Sequence, residues 1–210
     1  MKKKSLLISF FASLLLVFGI FAATSVTTQA AKLTKDNPVQ YSKKNKTVTM
    51  LTTVNGTYFT QNTRHVIVNV DGTNGNKSLL KTDVQPKTVY KDLKKVGAKP
   101  GDNLTKQSKA GTKVKGSKIN VYFVINGKKM RAEKAVQVNG KNVKNLNFRF
   151  GGNMATNNKM KTGCVLCFDS CPVGTVSGAK YGFSYGEHFT GKSSVLPKDG
   201  KQVKVIMQVK

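Results

Sequence analysis

Apolar residues recurring at every second position limit this chain more than any other feature. Ile119, Val121, Phe123 and Ile125 occupy every second position, and Asn126-Gly127 follows at once. Successive side chains of a strand point to opposite faces, so this segment buries one face and reverses at the Asn-Gly pair. Val203, Val205, Met207 and Val209 repeat the pattern near the C-terminus, and Leu146, Phe148 and Phe150 repeat it ahead of Gly151-Gly152. Thr47–Val54 is rich in β-branched residues, and Asn55-Gly56 predicts a hairpin with residues 57–60 as its return. Residues 64–70 predict a further strand with Val66, Val68 and Val70 on one face, and residues 181–185 another. Helical spacing is confined to Val89, Tyr90, Leu93 and Val96, with Pro86 ahead and Gly97 and Pro100 behind. Residues 154–160 suit a second, short helix. The fold class that follows is mainly β (a β-rich α+β): an antiparallel two-layer sheet or sandwich with one or two short helices.

The N-terminus has a different texture. Lys2, Lys3 and Lys4 precede an apolar run over residues 6–23, and small and polar residues extend to Ala31. That order predicts a signal peptide over residues 1–30, with Thr28-Gln29-Ala30 at the cleavage point. Residues 31–45 then read as a flexible basic lead-in and 46–210 as a single β-rich domain. The chain holds 36 Lys and Arg against nine Asp and Glu. Setting aside Lys2, Lys3 and Lys4 leaves 33 basic residues and all nine acidic ones, a net charge of +24. A charge of one sign on that scale draws polyanions. For an exported chain these are anionic cell-wall polymer or a membrane surface, so the expectation is a secreted protein held at the wall by charge. Export argues against nucleic acid as a partner.

Chemistry concentrates in one place. All three cysteines, Cys164, Cys167 and Cys171, fall in a Cys-x2-Cys-x3-Cys-Pro segment bounded by Gly163 and Gly174. Gly163, Pro172 and Gly174 are the residues that shape the loop. The spacing matches the second half of a bacterial ferredoxin motif and admits three readings. An iron–sulfur cluster has three thiolates here where four are usual. A zinc site needs one more ligand, for which His188 is the first choice, His65 the alternative and Asp169 a carboxylate within the loop. In an oxidising compartment two of the three sulfurs pair and one thiol is left over. A redox role would call for a protein redox partner. No Ser-His-Asp set, phosphate-binding glycine loop or His-Glu-x-x-His motif is present, and no two carboxylates share a recognisable motif. A hydrolase is therefore disfavoured.

Three segments, residues 90–101 (YKDLKKVGAKPG), 148–153 (FRFGGN) and 163–181 (GCVLCFDSCPVGTVSGAKY), resemble the YdjY-domain family of exported bacterial proteins. The cysteine segment is the most specific of the three, and cysteine-bearing members are labelled ferredoxin-like. The resemblance implies that Cys164, Cys167 and Cys171 form the family's site, and it brings no established reaction. Two functions follow as expectations. One is an accessory protein whose cysteine loop performs redox, electron-transfer or metal chemistry. The other is a non-catalytic module that binds anionic wall polymer and uses its cysteines only as a brace.

Overall fold

The computed structural model describes residues 33–210, so the expected signal peptide lies outside the described residues. In chain order the elements are β1 (Val39–Ser42), β2 (Thr47–Val54), β3 (His65–Asn69), β4 (Ser78–Thr82), α1 (Pro86–Lys95), β5 (Ile119–Ile125), β6 (Lys128–Arg131), β7 (Val136–Val138), β8 (Lys141–Asn142), β9 (Phe148–Phe150), α2 (Met154–Met160), β10 (Cys164–Cys167), β11 (Val176–Gly178), β12 (Phe189–Gly191) and β13 (Gln202–Val209). The class is the expected one, mainly β with antiparallel pairs dominant and two helices. Ten strands form one sheet in the order β6-β5-β13-β2-β4-β3-β10-β11-β9, with β1 added on β2. A smaller sheet runs β12-β7-β8. Among the described residues only β3 with β4 and β10 with β11 pair in parallel.

The alternating segments behave as their pattern requires. Ile119, Val121, Phe123 and Ile125 are buried and the residues between them are half-exposed. On β13, Val203, Val205 and Met207 enter the same core. Asn126 and Gly127 both adopt positive φ (49° and 75°), the primed turn that matches strand twist. Helix α1 starts with Pro86 in its first turn and ends in a Schellman closure: Ala98 N–H donates to Leu93 O at 2.9 Å and Gly97 N–H to Lys94 O at 3.0 Å. Gly97, at φ 92°, supplies the left-handed residue that this ending needs.

Three local expectations are corrected, and one strand is added. Residues 31–45 are not a loose lead-in throughout, because Val39–Ser42 pairs with β2 from Val39↔Met50 to Ser42↔Thr47. Asn55-Gly56 does not make a hairpin. Asn55 N–H is taken by Leu79 O and Gly56 N–H by the Asp199 carboxylate, and Gly56–Phe59 becomes a 3₁₀ turn. Residues 181–185 form no strand; Phe183 exchanges backbone hydrogen bonds with Gly111 and Thr112, and the strand of this region is Phe189–Gly191. Ser78–Thr82 is a strand that alternation does not reveal, since Ser78, Leu79 and Leu80 are all buried.

Phe123 is fully buried at the centre of β5. Phe123→Ala should therefore cost about 3–5 kcal/mol, read as a lower urea midpoint with an unchanged slope. A change under about 1 kcal/mol would contradict this core assignment.

Candidate metal centre

A Cys-x2-Cys pair on a regular strand puts its two sulfurs on opposite faces, because strand side chains alternate. Strand β10 avoids this through irregular pairing with β3. The register runs Cys164↔Val68, Leu166↔Ile67 and Cys167↔His65, with a shift on each side of Leu166. Each shift is a bulge that re-aims the chain. Val165 and Leu166 both enter the main core, while Cys164 and Cys167 both turn to the other face, where Cys171, Val68 and Val173 form a separate buried cluster.

The same pairing delivers a histidine. His65, at the head of β3, places Nδ1 3.5 Å from Cys164 Sγ and 3.6 Å from Cys167 Sγ. The three ligand atoms all lie within 4.8 Å of one another. His188 is elsewhere, exposed beside the Asn139 turn, where its N–H donates to Asn139 Oδ1 and its carbonyl accepts from Asn139 N–H. The first choice of histidine is thus replaced by the alternative. Asp169 is not in that group of ligand atoms either. It is buried and bound by Arg64 through Nε at 2.7 Å and a terminal nitrogen at 2.6 Å.

The cradle is built from side-chain amides and close backbone contacts. Asn157 donates to Cys164 O at 2.9 Å and to Val173 O at 2.6 Å, Asn153 donates to Cys171 O at 3.1 Å, and Asn74 Nδ2 stands 3.6 Å from Cys164 Sγ. Gly163, at φ 74°, passes so close to Asn69 O and Gly72 that a Cβ would come within 2.9 Å of both. Pro172 lies in the turn closed by Gly174 N–H on Cys171 O at 3.3 Å. Gly174 faces Cys167 Sγ, 3.1 Å from where its own Cβ would be.

Charge is shared unevenly among the sulfurs. Hydrogen bonding from Cys167, aided by His65, draws the Cys164 thiol down to about 4 against the effect of burial. The Cys171 thiol is likewise lowered by hydrogen bonding from Cys167. Cys167 is pushed well above its ordinary value by hydrogen bonding to Cys164 and Cys171, together with burial. Burial works against the charge of His65, but the hydrogen bond to Cys164 and the charge on that sulfur outweigh it and raise the imidazole. Cys164 is wholly buried. That suits a ligand kept from solvent better than a nucleophile that must meet an external substrate.

Comparison with known proteins assigns the family. The YdjY domain family matches residues 39–208. The chain belongs to that family. It is also 38% identical over 206 residues to the Escherichia coli (strain K12) protein YdjY, described there as uncharacterized, a match covering 93% of this chain and 92% of that protein. No solved structure matches.

A lowered thiol pKa contributes stability that is present at high pH and lost as pH falls through the folded value, whereas a raised histidine pKa contributes stability that is lost as pH rises through its folded value. In the metal-free protein, ultraviolet thiolate absorbance should persist as pH falls and disappear only near about 4. His65→Ala should move that midpoint upward. A midpoint near the ordinary thiol value in the unaltered protein would contradict the His65–Cys164 pairing.

Proposed function

We propose that the protein binds one divalent transition-metal ion, zinc by ligand type, through His65 Nδ1, Cys164 Sγ and Cys167 Sγ, with Cys171 completing the set. The observation that carries this reading is the spacing of the first three atoms. Tetrahedral zinc, at about 2.3 Å from sulfur and about 2.0 Å from nitrogen, sets those atoms about 3.5 Å apart. The sulfur–nitrogen separations are 3.5 and 3.6 Å. Two thiolates and an imidazole form a donor set that tetrahedral ions favour. In a four-iron cluster each cysteine binds a different iron, which spreads the sulfurs further than a single ion does.

An ion here would replace the protons that now link His65 with the sulfurs, so its binding is favoured as pH rises. When bound, it supplies Lewis acidity or a fixed scaffold. The chain's own residues exclude water, hold Cys164 and Cys171 through the backbone contacts of Asn157 and Asn153, and leave His65 as the half-exposed member. Cobalt titration tests the assignment. Unaltered protein should develop tetrahedral ligand-field and thiolate charge-transfer bands at one ion per chain. His65→Ala and Cys164→Ser should each weaken binding at least about 10-fold, while His188→Ala should leave it unchanged. Equal loss in the His188 variant, or no loss in the His65 variant, would overturn the ligand set.

A second reading rests on charge. We propose that the protein is exported, with residues 1–30 removed, and held at the cell wall by the remaining excess of 33 basic over nine acidic residues. Among the described residues no helix is long and apolar enough to cross a membrane. Retention on isolated walls should fall steeply between low and high salt. Salt-insensitive retention would contradict this reading.

A further inference from the structure

Strand β11 runs beside β10 in parallel, and its register sets Ser177 directly opposite Cys167. Across β3, β10 and β11 the row is therefore His65, Cys167, Ser177. Ser177 is fully buried, and its hydroxyl has no hydrogen-bond partner among the described residues. A buried hydroxyl without a partner is costly and rare in a folded chain, which marks this one for a partner that arrives later.

The surroundings indicate where that partner sits. Gly174 lies between the two strands, and a Cβ on it would collide with Ser177 Oγ and stand 3.1 Å from Cys167 Sγ. The missing side chain thus leaves one small shared space, with the hydroxyl on one side and the sulfur on the other. Of the neighbouring sulfurs, Cys164 already has outside support, from the Asn74 amide and from His65. Cys167 is approached by His65 but by no amide or hydroxyl donor at hydrogen-bond distance among the described residues. A sulfur bound to a cation carries a full negative charge and accepts from nearby donors, and such outer hydrogen bonds fix a ligand's orientation and tune the ion.

We propose that Ser177 is a positioning residue that donates its hydroxyl to the Cys167 sulfur when the ion is bound. The proposal rests on the metal-site reading above and adds to it a residue outside the ligand set. Hydrogen bonding lowers the energy of the sulfur lone pair, so removing it should move the thiolate-to-cobalt charge-transfer band to longer wavelength. Gly174 is then required for the approach of the two groups as well as for the loop.

The test compares unaltered protein and Ser177→Ala by cobalt titration, with circular dichroism to confirm the fold. The expected result is a folded variant that binds cobalt about 10–100-fold more weakly, with its charge-transfer band displaced to longer wavelength and its ligand-field bands still tetrahedral. Wild-type affinity with an unmoved band would overturn the proposal. Weaker binding with an unmoved band would also overturn it, because a merely structural serine alters affinity without altering the sulfur's electronic state. If the unaltered protein binds no cobalt, the metal reading itself fails and the Ser177 proposal falls with it. That outcome is distinct, since it appears before any variant is compared.

Discussion

The site depends on the irregular pairing of β3 with β10. Two compensating bulges let Val165 and Leu166 enter the core together and turn Cys164 and Cys167 to the opposite face. A regular ladder would keep the same sequence but split the sulfurs across the sheet. The bulges also bring His65, 102 residues from Cys167 in sequence, into line with both sulfurs. Sheet and site are thus one construction, and the main core anchors the strands whose other face carries the chemistry.

Around that junction the polar groups divide the work. Asn157, Asn153 and Asn74 hold the cysteine segment by its carbonyls and one sulfur. Arg64 neutralises the buried Asp169, and the pair occupies the position just before His65 on one strand and just after Cys167 and Phe168 on the other. Burial raises the Asp169 carboxyl against the opposing pull of the guanidinium, whose contacts at 2.6 and 2.7 Å both fall on Oδ2. With Oδ2 bound by Arg64, Asp169 contributes charge near the sulfurs from outside the His65–Cys164–Cys167 group. Phe168 stacks on Phe189 with ring centroids 5.0 Å apart, which ties the cysteine segment to the smaller sheet.

Much of this architecture is legible in the residues. Alternation identifies β5, β9 and β13, and Pro86 and Gly97 bracket α1, because these signals are local and each element buries one face. The cysteines and their shaping residues Gly163, Pro172 and Gly174 are also visible as a segment. Alternation misses β4, whose neighbouring residues Leu79 and Leu80 are both buried, as expected for an interior strand covered on both faces. Asn55-Gly56 misleads because distant partners, Leu79 and Asp199, take the hydrogen bonds that a hairpin would have made. The choice of His65 over His188 is likewise non-local, set by which strand pairs with β10. The one signal that favoured His65 is its place at the start of a strand-forming run, whereas His188 follows the Gly186 turn.

The proposed metal ion would occupy the His65–Cys164–Cys167 cluster. A native mass spectrum of the protein, purified with neither reductant nor added metal, tests that occupancy most directly. The account predicts a mass above the bare chain by a single divalent ion less the protons it displaces, reverting to the bare chain after acid treatment. A mass lower by two hydrogens would show a disulfide in its place, and a mass raised by iron with sulfide would show a cluster. Either result would contradict the account.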